Sequence, residues 1–204
     1  IGYSAGASLT TGEHNVVLGY GAFDAAAGGE STNTAIGKDA MGAVDEGTAG
    51  GDADDNVAIG YNALFGGDFA GNDRQLQGNV AIGAYALDAT AANAQTGTIA
   101  IGHSALNALT TGAGNIAIGY QALVANQAGD KNIAIGYGAL AASNHTDSDN
   151  NIAIGYGALD TSGSGVVANQ NVSIGNTSGE AVTTGDDNVF VGHQAGGTVA
   201  TGYN

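Results

Sequence analysis

The chain of 204 residues has no cysteine, no proline and no tryptophan, one methionine, and only three cations (Lys38, Arg74 and Lys131). Without cysteine there is no disulfide framework, no thiolate zinc site and no sulfur nucleophile. Three scattered cations against nineteen Asp and Glu leave a net charge of −16. Nucleic acid is excluded as a partner, because phosphate recognition needs a Lys/Arg footprint. Direct contact with an anionic membrane surface is excluded for the same reason. No apolar run approaches the ~20 residues of a membrane span. Residue 1 is Ile, and no basic region followed by an apolar one succeeds it. Both ends fall inside the repeat described next, so the sequence reads as an excerpt of a longer fibrous chain.

What is abundant is glycine, at 37 residues, and it is periodic. The phrase Asn-Ile-Ala-Ile-Gly-Tyr-x-Ala-Leu recurs throughout, most cleanly at 115–123, 132–140 and 151–159. Variant copies start at Asn15, Asn33, Asn56, Asn79, Thr98, Asn171 and Asn188, and a truncated copy opens the chain. The central glycines are Gly2, Gly19, Gly37, Gly60, Gly83, Gly102, Gly119, Gly136, Gly155, Gly175 and Gly192, spaced by 17 to 23 residues. A fixed unit with a variable connector is how a solenoid coil behaves when its loops lie on one side. Residues 1–204 therefore read as a single repeat array.

Each position has a physical reading. Positions two and four (Val57 and Ile59, Ile116 and Ile118, Ile133 and Ile135) share one parity and point to one strand face. Position three is small, usually Ala, and position five is always Gly. A glycine in every repeat behind β-branched residues is costly in a helix, so two short strands pivoting on the glycine fit better. Stacked at ~4.8 Å, eleven such coils make a rod roughly 50 Å long. Like side chains then form columns. Asn at position one (Asn56, Asn79, Asn115, Asn132 and Asn151 among others) makes an amide ladder. Ile at position four (Ile59, Ile82, Ile101, Ile118, Ile135, Ile154) makes a continuous apolar spine. Charge supports this partition, since within the ten full cores only Lys38 and Asp39 are charged. The other 20 charged residues lie in connectors of 8 to 14 residues.

Both faces of the first strand look buried, because position three is apolar as well. One face can fill the roll and the other needs a partner, for which identical chains around an axis are the simplest source. The opposing reading takes the alanines as small surface residues. An uncovered end coil also invites further stacking, so end-to-end filament growth is an alternative.

The Asn-Val-Ala-Ile-Gly and Asn-Ile-Ala-Ile-Gly cores resemble the head repeats of trimeric autotransporter adhesins, the YadA-like family. They are also similar to repeats of phage tail-fibre and other bacterial surface-fibre proteins. The resemblance covers essentially the whole chain. It implies an all-β fold, a left-handed parallel β-roll or β-solenoid of about eleven coils, assembled as a homotrimer. It also implies a non-enzymatic role in attachment, outside the cell on a bacterial surface or a virion, as shaft or head. The Tyr-x-Ala-Leu extension departs from the shorter adhesin unit and looks more like tail-fibre repeats.

Candidate sites are few, and no catalytic constellation is present. Tyr20, Tyr61, Tyr120, Tyr137 and Tyr156 share position six with Tyr3, while His103 and His193 replace tyrosine elsewhere. An exposed aromatic row could stack on sugar rings of a surface glycan, or it is a packing ladder with hydroxyls at the solvent edge. The acidic connectors (Asp45, Glu46, Asp52, Asp54 and Asp55; Asp68 and Asp73; His145, Asp147 and Asp149) are the other group. Calcium needs a cage of six to eight oxygens. Asp52, Asp54 and Asp55, after Gly50-Gly51, only faintly match a calcium-binding repeat, so no cofactor is expected and solvated loop charge is the simpler reading. No histidine pair has metal spacing, and the Thr-Thr-Gly segments are explained by turn chemistry. The runner-up enzyme reading is a hexapeptide acyltransferase, from Ile-Gly-x-x-Ala-Leu at 118–123. Only one side per coil carries the aliphatic residue, which disfavours it. A binding module for a glycan or protein receptor would use the long connectors after Met41 and Leu64.

Overall fold

The computed structural model describes residues 1–26, 28–44, 52–66, 75–90, 95–142, 148–160, 169–183 and 185–197. The described residues contain strands and turns and no helix. Twelve strands follow in chain order: β1 (Val16–Leu18), β2 (Thr34–Ile36), β3 (Val57–Ile59), β4 (Leu76–Gln77), β5 (Val80–Ile82), β6 (Gln95–Thr96), β7 (Ile99–Ile101), β8 (Ile116–Ile118), β9 (Ile133–Ile135), β10 (Ile152–Ile154), β11 (Val172–Ile174) and β12 (Val189–Val191). Ten of them, all but β4 and β6, stack in sequence order into one parallel sheet, and β4 pairs with β6 in a second. The fold is a parallel β-solenoid. The truncated first copy joins the stack through Gly19 N–H to the Ile1 carbonyl at 3.0 Å and Gly21 N–H to that of Tyr3 at 2.9 Å.

Register is the same at every step. Ile116, Ala117 and Ile118 lie opposite Ile133, Ala134 and Ile135, and Val57, Ala58 and Ile59 lie opposite Val80, Ala81 and Ile82 across a longer connector. Backbone groups connect each coil both ways. Ile116 N–H donates to the Asn132 carbonyl ahead, and Gly119 N–H to the Ile101 carbonyl behind, both at 2.8 Å.

The glycine column sets how close the coils come. Gly60 has φ +139° and Gly83 φ +132°. A Cβ built on Gly60 would sit 2.6 Å from the Gly83 carbonyl oxygen, and one on Gly83 2.6 Å from that of Gly102. Gly119 meets Gly136 in the same way. Any side chain at position five would push its own backbone off the next coil.

Only half of the expected two-strand unit is strand. The segment from position six to nine is turn, because positions seven and nine are left-handed. Gln121 (φ 55°) and Leu123 (φ 52°) show the pattern, which Asn62 and Leu64 repeat. Residue type does not encode it, since a leucine in this region costs roughly 1–2 kcal/mol. Bonds to both neighbours hold it there. Gln121 N–H reaches the His103 carbonyl at 3.0 Å, and Leu123 N–H that of Ala139 at 2.9 Å.

The alanines of position three point inward. Ala35, Ala58, Ala81, Ala100, Ala117, Ala134 and Ala153 are fully buried, so they are not surface residues. They meet the buried Ala and Leu of positions eight and nine, such as Ala122 and Leu123. Position nine is Gly179 and then Gly196 in the last two full copies. There Phe190, from position three, fills the space: a Cβ on Gly179 would meet its ring at 3.3 Å. With alanine inside, the position-four spine runs along the outside.

The asparagine column is buried and bridges strand to connector. Asn115 Oδ1 accepts the backbone N–H of Asn132 at 2.9 Å, and Asn132 Oδ1 that of Asn151 at 3.0 Å. Meanwhile Nδ2 donates to a connector carbonyl three residues before the next asparagine: Asn56 to Leu76 at 2.6 Å, Asn115 to Gly129 at 2.7 Å, Asn132 to Ser148 at 2.7 Å. Thr98 breaks the column, and its buried hydroxyl has no partner.

Two predictions follow from these columns. Thr98→Asn is expected to restore both bonds, to the Asn115 N–H and the Gly112 carbonyl, and to stabilise the fold by about 1 kcal/mol in denaturant unfolding. Gly119→Ala should cost on the order of 4 kcal/mol or more. Gly138→Ala, at φ +61° with open space around it, should cost only about 1 kcal/mol. Equal losses for the two glycine variants would refute the contact argument.

Candidate functional site: an aliphatic sheet face beside an aromatic column

Alternation along a three-residue strand places positions two and four on the opposite side from the buried alanine. The outer face of the ten-stranded sheet therefore carries Val16/Leu18, Thr34/Ile36, Val57/Ile59, Val80/Ile82, Ile99/Ile101, Ile116/Ile118, Ile133/Ile135, Ile152/Ile154, Val172/Ile174 and Val189/Val191. Thr34 is the one polar member, and none is charged. Exposure runs from half-buried inside the stack to 68% at Val189 and 66% at Val191 on the last strand. Ten strands at ~4.8 Å make this face about 43 Å long. With side chains at two positions per strand it projects on the order of 400 Å², comparable to the largest apolar patches on soluble monomers.

Beyond the glycine pivot, position six forms a column parallel to that face. Tyr3 and Tyr20 stack with centroids 5.3 Å apart. His103 stacks on Tyr120 at 5.4 Å, Tyr120 on Tyr137 at 5.0 Å, and Tyr137 on Tyr156 at 5.4 Å, all within 17° of parallel. Lys38 occupies the place of a ring, its ammonium 5.7 Å from the Tyr20 centroid and 5.0 Å from that of Tyr61. The hydrogen bond to Asp39, followed by that carboxylate's charge, raises the Lys38 pKa. In the copy at 79–87 position six is Ala84, and Tyr85 at position seven fills the gap edge-on to Tyr61 and His103. Desolvation, then the Tyr61 hydroxyl, pushes the Tyr85 phenol above its ordinary range. The sequence pattern missed Lys38 and Tyr85 as members because neither fits the repeat. In the stacked pairs ring faces turn to each other, as in a packing ladder.

The connector carboxylates do not gather into a cage. Among the described residues no group of three or more His, Asp or Glu side chains could hold a metal ion. Asp54 Oδ1 accepts the Ser31 N–H at 2.6 Å, Asp55 takes the Thr32 hydroxyl, and the exposed Asp52 makes a backbone bridge to Gln75. Asp45, Glu46, Asp68, Asp73, His145 and Asp147 lie outside the described residues. Several acidic residues prove structural rather than merely solvated. Two residues before Asn132, Asn151, Asn171 and Asn188, a short side-chain oxygen accepts a backbone N–H of the preceding coil: Asp130 from Ala113 at 2.8 Å, Asp149 from Asp130, Asn169 from Asp149, and Asp186 from Asn169, each of these three at 2.7 Å. Alignment on the asparagines would have revealed this column in the sequence. His14 and His193 are exposed, and His103 belongs to the aromatic column with Ser104 Oγ 2.9 Å from its Nδ1.

Two shallow hollows near the last coils are lined by Asp160, Glu180, Ala181, Gln194 and Gly197. Desolvation raises the Asp160 pKa and Glu180 adds to the shift, while the hydrogen bond from Ala142 N–H opposes it. Asp88 is raised by desolvation as well, against the opposing hydrogen bond from Asn107. No family model matches this chain, and neither a curated protein nor a solved structure matches it.

A raised Asp160 means that the folded state binds this proton more tightly than the unfolded chain. Its ionisation therefore weakens the fold, and stability returns as pH falls through the folded pKa toward the ordinary Asp value. Asp160→Asn retains an acceptor for Ala142 and removes the charge. It should stabilise the protein by about 0.5 kcal/mol at neutral pH, a figure discounted for solvent screening. Unfolding curves of the two proteins should converge at acid pH.

Proposed function

We propose that the chain is a segment of a non-enzymatic, self-associating extracellular fibre, shaft or head, that serves attachment. The observation that carries this reading is the aliphatic outer face. A solenoid that served as a solitary soluble scaffold would carry polar residues at positions two and four and its larger aliphatics inside. This chain does the reverse across ten strands, and the connectors, not the sheet, hold nearly all of its charge. Identical chains offer the same uncharged face with the same strand repeat, so a homotrimer buries it without any change in the fold.

The acyltransferase reading loses support from the same geometry. The Ile-Gly-x-x-Ala-Leu segment is one strand followed by a turn, with its isoleucine outside rather than at an inner corner. The described residues also place no cation beside a cleft where an anionic acyl carrier could rest. The fibre reading needs no pocket. Its setting outside a cell, on a bacterial surface or a virion, rests on the resemblance of the repeat.

Light scattering with size-exclusion chromatography at micromolar concentration tests the assembly. The unaltered chain should run as a trimer. The double variant Ile118→Asp, Ile154→Asp puts two carboxylates on the outer face, separated by the intervening strand β9, and should run as a folded monomer by circular dichroism. A monomeric unaltered chain, or a variant that still assembles, would refute the proposal.

A further inference from the structure

The composition decides where oxidation of this protein must act. There is no cysteine and no tryptophan, and the one methionine, Met41, is fully buried. The usual sinks for oxidising equivalents are thus absent or shielded. What remains exposed is tyrosine. Tyr3, Tyr20, Tyr120, Tyr137 and Tyr156 are 42–73% exposed at their ring edges, and the column has already brought them together in pairs. Tyr3–Tyr20, Tyr120–Tyr137 and Tyr137–Tyr156 stand 5.0–5.4 Å apart between centroids, within 14–17° of parallel. Other neighbours are separated or misaligned. Lys38 stands between Tyr20 and Tyr61, Tyr61 meets Tyr85 at 83°, and His103 stands between Tyr85 and Tyr120.

We propose that these three stacked pairs are oxidative cross-linking sites, at which a haem peroxidase with hydrogen peroxide joins consecutive coils of one chain through a carbon–carbon bond. Each phenol loses a proton and an electron to give a phenoxyl radical. The two radicals join at ring carbons ortho to the oxygens, and the hydrogens on those carbons shift to the oxygens to restore both aromatic rings. Peroxide accepts the two electrons and two protons and leaves as two waters. Stacking supplies the selectivity, since a radical must meet its partner before solvent or another reductant quenches it. The links would close loops between Tyr3 and Tyr20, Tyr120 and Tyr137, and Tyr137 and Tyr156, doing for a cysteine-free rod what a disulfide does elsewhere.

The test treats the folded protein with peroxidase and hydrogen peroxide, reads dityrosine fluorescence, and maps linked peptides by mass spectrometry. Links within one chain are expected at the three pairs and absent from Tyr20–Tyr61 and Tyr61–Tyr85. The oxidised protein should melt at a higher temperature. Tyr137→Phe preserves the stack, and should abolish two of the links while leaving Tyr3–Tyr20 intact. Prior unfolding in urea should sharply lower the yield. The inference is overturned by an absence of intrachain links at these pairs, by a yield that unfolding does not change, or by links found only between chains.

Discussion

Backbone lies directly on backbone along the glycine column, and that contact fixes the axial spacing of everything else. Where the Gly60 carbon faces the Gly83 carbonyl there is no room for even a methyl group. That contact holds successive turns at the separation a parallel sheet needs, so the strand ladder, the asparagine bridges and the aromatic stack all share one period. It also explains why connectors vary so freely. Connector length does not alter the register, and Val57 lies opposite Val80 as Ile116 lies opposite Ile133.

A rod held at that spacing is narrow inside, and its stabilising forces are distributed accordingly. Alanine at positions three and eight and one leucine at nine leave little apolar volume to bury per coil. The left-handed leucines, such as Leu64 and Leu123, are a strain that each coil repeats. Hydrogen bonds between neighbours offset it, from strand, turn and connector and, except at Thr98, from the asparagine column. Because each coil touches only the next, these contributions sum along the axis. Phe190 shows how tight the interior is: its ring enters from the strand side where position nine has shrunk to Gly179 and Gly196.

Much of this architecture was legible in the sequence. Gly19, Gly60 and Gly119 recur at matched places in every copy, and asparagine, as at Asn56 and Asn132, precedes the strand in every full copy but the one that starts at Thr98. The facing of the strand was not legible. Positions two, three and four are all apolar, so hydrophobic alternation, the usual guide to which side is inside, is missing. The turn at positions six to nine was equally hidden, since nothing in Leu123 or Gln121 as residue types announces a positive φ. The coil imposes it through bonds above and below. The bonding role of some acidic side chains was hidden for a related reason. Asp130, Asp149 and Asp186 are defined by distance to the next asparagine, whereas the surrounding connector is irregular.

The consequence of that facing is an inversion of the ordinary soluble plan. Small residues line the interior, and the bulkier aliphatics of each strand, the Ile118 and Ile135 positions, look outward. Position three takes the inner side of each strand, so alternation sets positions two and four on the sheet surface. Nineteen of twenty outward positions are aliphatic, and water around that uncharged surface is released only when another surface covers it. Alternation leaves these residues no inward-facing place on the strand, and none of the twenty outward positions carries a charge that would oppose an uncharged surface laid against them.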